Sequence, residues 1–223
     1  MGPAGEGSGE LPADDMLDRL AVVIDGVVAQ ECAHHYHAHT QEHQFSSRLA
    51  QAIESELRHF PMPGLDIEVV TRDFPDRGRG SMEKRSGADL YISLVRFDGE
   101  QPVSKGMLVQ SKWDYALRHG SERRRLRDQS RNMLARTDAS YVWVYEEAGV
   151  AVVPAIDAAS LARPILRWPR RTIGELVAGG LRCTVGDRAI GRNLDQPLVT
   201  SLNTMLDQLS AETALEFVVG HGG

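Results

Sequence analysis

Gly87-Ala88-Asp89-Leu90-Tyr91-Ile92, followed by Met107-Leu108-Val109-Gln110-Ser111-Lys112-Trp113, decides how the rest of the chain is read. Leu90 to Phe97 is rich in β-branched and aromatic residues, and Gly99 with its polar neighbours marks a turn, so the two runs predict a hairpin. Side chains alternate along a strand, which sends Gln110 and Lys112 to one face and Val109 and Ser111 to the other. If Asp89 lies beside them, an acid, a carboxamide and an ammonium converge. A buried polar group is costly unless it is paired or binds an ion. Gln-Ser-Lys directly after Met-Leu-Val is therefore hard to justify as core packing, and a metal site would explain it.

Working outward, Phe45, Leu49, Ile53, Leu57 and Phe60 recur at helical spacing, which predicts an amphipathic helix over Gln41 to Phe60, ended by Pro61. Glu42 falls three and seven residues before Phe45 and Leu49, on the inward side, Glu56 at the margin of the stripe, and Glu54 well away from it. Leu65 to Phe74 alternates as a strand, and Pro75 to Ser86 is a turn-rich, charged segment with Arg72, Arg77, Arg79, Lys84 and Arg85 in or beside it. Tyr115 to Arg136 is helical in pattern. It carries Arg118, His119, Arg123, Arg124, Arg125, Arg127 and Arg131 in a chain of formal net charge −6. Such local basicity suits phosphate binding, although an exposed helix face would read the same way. Ser140 to Tyr145 and Val150 to Val153 add two further strands.

Asp89, a variable hairpin, then Gln110-Ser111-Lys112 resembles the motif of the PD-(D/E)XK nuclease superfamily in its Mrr-like branch. The resemblance covers about Gln41 to Ala155. It implies an α/β, restriction-endonuclease-like αβββαβ core with a mixed central sheet, here with extra N- and C-terminal helices, and a metal-dependent endodeoxyribonuclease. By the same resemblance, Asp89 and Gln110 hold Mg²⁺ (or Mn²⁺), Lys112 sits by the attacking water, and Glu42 reaches the metal from the first core helix, with Glu56 second. Glu83, six residues before Asp89, is a candidate further ligand. Gln129, in the helix after the lysine, is a candidate for substrate or lysine positioning. The family's prolyl residue is replaced by Ala88, and its second acid by Gln110, which removes a negative charge from the site. The chemistry fits independently: a hard cation prefers oxygen ligands and polarises a phosphoryl oxygen, while an ammonium offsets charge building on the phosphate. Arg123, Arg124, Arg127, Arg79 and Lys84 are the expected contacts to nucleic-acid backbone.

Small nucleases resembling this family commonly act as restriction or anti-phage effectors, so the expected partners are DNA, a second copy of the chain, or a regulatory protein subunit. The alternative is a non-catalytic nucleic-acid-binding or scaffold subunit on a degenerate nuclease fold. A third reading starts from Cys32, His34, His35, His37, His39 and His43, whose imidazoles and thiol could bind zinc, against a plain His-rich connector.

Residues 1–13 read as a flexible tail with no apolar signal region, 14–157 as the nuclease core with its N-terminal helix, and 158–223 as a C-terminal helical extension of the same domain. Within that extension Ile173 to Ala178 reads as a helix, and Leu198 to Phe217 as another, with a restart near Ala211. No run reaches membrane-span length, and two cysteines are too few for a disulfide framework, so a reducing cytoplasm is expected.

Overall fold

Alternation along the strands builds this molecule as three layers. The computed structural model describes residues 13–38, 41–62, 65–73, 87–97, 101–160 and 168–221. The order is α1 (Ala13–His35), α2 (Glu42–Arg58), β1 (Leu65–Asp73), β2 (Leu90–Phe97), β3 (Val103–Trp113), α3 (Gly120–Leu134), β4 (Ser140–Glu146), β5 (Gly149–Pro154), α4 (Ala155–Ser160), α5 (Ile173–Leu181), α6 (Leu198–Leu209) and β6 (Thr213–His221). The strands form one mixed sheet in the order β1-β6-β2-β3-β4-β5. Ile92, Met107, Val109, Trp143, Leu215 and Phe217 point to the face packed by α1, α2 and α5. Their chain neighbours Tyr91, Leu108, Val142 and Ala214 point the other way, toward α3, α4 and α6.

The predicted hairpin forms, with β2 and β3 antiparallel from Leu90 opposite Val109 to Arg96 opposite Val103. α3 is the crossover that lets β4 run parallel to β3. The helix expected over Tyr115 to Arg136 is interrupted at its start. A single 3₁₀ turn, Ala116–Arg118, precedes α3, which begins at Gly120. α1 runs on to His35, so the first histidines of the Cys/His segment are helical. No described helix is long and apolar enough to cross a membrane.

The C-terminal part departs most from expectation. Leu198 to Phe217 is not one helix, and none restarts near Ala211. α6 stops at Leu209, Ser210 turns the chain in the left-handed region (φ 52°), and β6 follows. Leu202, Met205, Leu206 and Leu209 satisfy a helical period. Beyond them Ala214, Leu215, Phe217 and Val219 are buried, while Glu216 between them is buried too, the signature of a strand covered on both faces. β6 lies between β1 and β2, antiparallel to the first and parallel to the second. The segment read as an appended helical extension thus supplies a central strand, and β1 and β2, consecutive in sequence, are not neighbours.

Phe217 is fully buried among the α1, α2 and α5 side chains. Phe217→Ala is expected to cost about 3–5 kcal/mol of stability, read by urea denaturation, and ending the chain at Ser210 is expected to abolish cooperative melting by circular dichroism. An appended extension would tolerate both changes.

Candidate functional site

Asp89 stands just before β2, where its backbone is held from both sides. Its N–H donates to Val109 O at 2.8 Å, and its carbonyl accepts from Glu212 N and Thr213 N at 3.1 and 3.3 Å. The approach needs Gly87, whose φ is +75°. A Cβ there would lie 2.6 Å from the carbonyl oxygen of Gln129 on α3, so the glycine lets the chain pass against the helix backbone. Asp89 as a whole is 3 % exposed. Its Oδ2 accepts from the Ser111 N–H at 3.0 Å, the Ser111 hydroxyl at 2.7 Å and the Gln110 amide at 2.5 Å.

As strand alternation requires, Gln110 and Ser111 leave β3 on opposite faces, and Asp89 at the strand end meets both. On the α2 side Ser111 Oγ lies 3.0 Å from Ser46 Oγ, which lies 2.6 Å from the Tyr145 hydroxyl. Because Ser111 donates to Asp89, the chain of hydroxyls runs from Tyr145 through Ser46 to Ser111 and the carboxylate. Ser46 divides its one proton between Ser111 and Glu42 O at 2.8 Å. Burial drives the Tyr145 phenol well above its ordinary range, so it stays a neutral donor.

On the opposite side a polar cavity of about 210 Å³ opens. The strand ends line it with Asp89, Gln110 and Lys112, the start of α2 with Gln41, Glu42 and His43, and α3 with Arg125 and Gln129. Gln110 Oε1 and Gln129 Oε1 are buried without a hydrogen-bond partner. Lys112 Nζ lies 3.8 Å from Glu42 Oε1 and 3.6 Å from Glu122 Oε2. Asp89, Gln110, Lys112, Glu42 and Gln129, separate in sequence, therefore meet in one place.

Other expected contributors fall elsewhere. Glu56 is exposed on α2. Glu54, expected away from the apolar stripe, accepts from Thr71 N at 2.8 Å and pairs with Arg58. Arg123 and Arg124 are exposed on α3, and Arg127 bends to Asp128 at 3.4 Å. Glu83, Arg79 and Lys84 lie outside the described residues. Arg125 was named from sequence only as one arginine of the basic segment, because which of the run of three faces the cavity depends on where α3 starts, and Glu122 was not named, since it reads as an ordinary first-turn acid until the turn after β3 is placed.

Cys32 is fully buried in the core, and burial, with Glu31 and Glu146 adding to it, pushes its thiol up to about 12. That is the opposite of what a zinc thiolate needs. His35 faces Glu31 at 3.7 Å and His37 faces Glu147 at 3.5 Å. Among the described residues no group of three or more His, Cys, Asp or Glu side chains is placed to hold a metal ion. The cavity's own donors are of a different kind. Asp89, Glu42 and the orphaned Gln110 Oε1 offer oxygen atoms only, the donor type of a hard divalent cation rather than of zinc.

Comparison of the chain with protein-family models, with curated proteins and with solved structures finds no match.

Two outcomes check this geometry. Gly87→Ala forces a left-handed alanine against Gln129 and is expected to destabilise the protein by at least about 1–2 kcal/mol in urea. A thiol-reactive dye at pH 8 is expected to count one thiol in the native chain, exposed Cys183, and two after denaturation.

Proposed function

We propose that this chain is a metal-dependent endodeoxyribonuclease that hydrolyses DNA phosphodiester bonds, on a core of the restriction-endonuclease-like type with β6 inserted between its first two strands. The observation that carries the reading is the convergence of Asp89, Gln110 and Lys112 with Glu42 and Gln129 on one polar cavity. Asp89, Gln110 and Glu42 are the residues that would hold Mg²⁺ or Mn²⁺. When bound, the cation supplies Lewis-acid polarisation of a phosphoryl oxygen and a water of lowered pKa. Lys112 offsets the charge that gathers on the phosphate as the bond to oxygen forms. Arg125 and Gln129 face the same cavity from α3 and hold non-bridging oxygens, while exposed Arg123 and Arg124 grip flanking phosphates. Cutting both strands calls for two such sites, hence a second copy of the chain or a partner subunit. The setting that the motif suggests is restriction or antiviral defence in a reducing cytoplasm.

One observation favours a second reading, a nucleic-acid-binding subunit without turnover. The Gln110 amide and both Ser111 donors converge on Asp89 Oδ2, so that oxygen is satisfied within the protein.

A plasmid-nicking and linear-DNA assay with Mg²⁺, Mn²⁺ and EDTA separates the two. Metal-dependent cutting is expected, reduced more than about a hundredfold in Asp89→Ala and in Lys112→Ala. A wild type that shifts DNA in gels yet never cuts it selects the second reading.

A further inference from the structure

Lys112 is 3 % exposed, yet it carries an ammonium. A charge with so little exposed surface is costly unless opposite charge stands close by. Two carboxylates do, from two different helices: Glu42 at the start of α2 and Glu122 in the first turn of α3 bracket Nζ at 3.8 and 3.6 Å. Both separations exceed a direct hydrogen bond. The attraction is therefore Coulombic, and it sets where Nζ sits without occupying its N–H groups, which remain available to a phosphate oxygen.

The two acids are not equivalent. Glu42 lines the cavity beside Asp89 and Gln110 and is the carboxylate with a second call on it, the cation. Glu122 does not line the cavity. It belongs to the helix that also brings Arg125 and Gln129, so it moves with the groups that face the substrate. An acid in a first helical turn favours the helix dipole wherever it points. What that role leaves unexplained is why this one is aimed at a buried lysine on the neighbouring strand.

We propose that Glu122 is the positioning residue for Lys112: the counter-charge that stays with the ammonium when Glu42 turns to the cation, keeping Nζ directed at the scissile phosphate. The assignment of the phosphate rests on the nuclease reading above, whereas the pairing of Glu122 with Lys112 does not.

The test uses the full chain and the near-isosteric substitution Glu122→Gln. In the cleavage assay, kcat is expected to fall roughly tenfold, with the half-saturating Mg²⁺ concentration and KM for DNA unchanged. Glu42→Gln is expected to raise the half-saturating Mg²⁺ concentration instead. Independently of activity, Glu122→Gln is expected to lower Tm by about 2–4 °C. That loss should vanish when Lys112→Met is also present, because no buried ammonium is then left uncompensated. A Tm loss that persists in the Lys112→Met background assigns Glu122 to the helix dipole alone and overturns the proposal, as does an unchanged kcat in an enzyme that cuts. If the wild type cuts no DNA with either metal, the nuclease reading falls, while the melting cycle still decides whether Glu122 is the partner of Lys112.

Discussion

The buried carboxylate of Asp89 is the constraint on which the site depends. A single oxygen takes three donors from two adjacent residues of β3, while the backbone on either side is bonded to β3 and to the start of β6. Such a group tolerates little displacement, since an unsatisfied buried carboxylate costs more than the hydrogen bonds it forgoes. It therefore holds the ends of three strands in register and, through Ser111, Ser46 and Tyr145, ties them to α2 and β4. Where Glu42 and Lys112 stand follows from that registration.

A second buried charge fastens the sheet further from the cavity. Glu216 on β6 is fully enclosed, accepting from Ser93 on β2 at 2.6 Å and from Arg192 at 2.5 Å. Arg192 comes from the segment between α5 and α6, which presses onto β3 closely enough that a Cβ at Gly106 would lie 2.3 Å from Ile190 O. Thr137 and Gly106 both bond Asp187 of that segment. A strand that can be inserted mid-sheet only late in the chain is thus clamped by an ion pair whose partner arrives just before it. Breaking one side of such a pair leaves a bare charge in the core.

Electrostatics divide the molecule unevenly. The chain is acidic overall, yet α3 carries Arg123, Arg124 and Arg125 in succession near its start, the last of them at the cavity. Arg127 and Arg131 are drawn to Asp128. Asp89 and Glu42 lie at the cavity itself. Lys112 and Arg125 line the same cavity, so acids and bases meet there at close range.

Much of this was legible in the residues because it rests on local periodicity. Leu90 to Phe97 announces β2 through its composition, and the two-residue period alone places Gln110 and Lys112 on one face with Ser111 on the other. The helical stripe from Phe45 to Leu57 orients α2 and carries Glu42 inward. The insertion of β6 was not legible: Leu198 to Leu209 sets a helical rhythm that Phe217 happens to continue, and only the αL turn at Ser210 breaks it. Arg125 and Glu122 escaped for a related reason, since a shift of one residue in where α3 begins rotates every side chain on it by about 100°. Local patterning by itself determined the hairpin, the facing of the motif residues and the burial of the α2 stripe. Tertiary structure decided the strand order, the bracketing of Lys112 by two helices and the choice of arginine at the cavity, because those depend on contacts between segments far apart in the chain, which no period within a segment records.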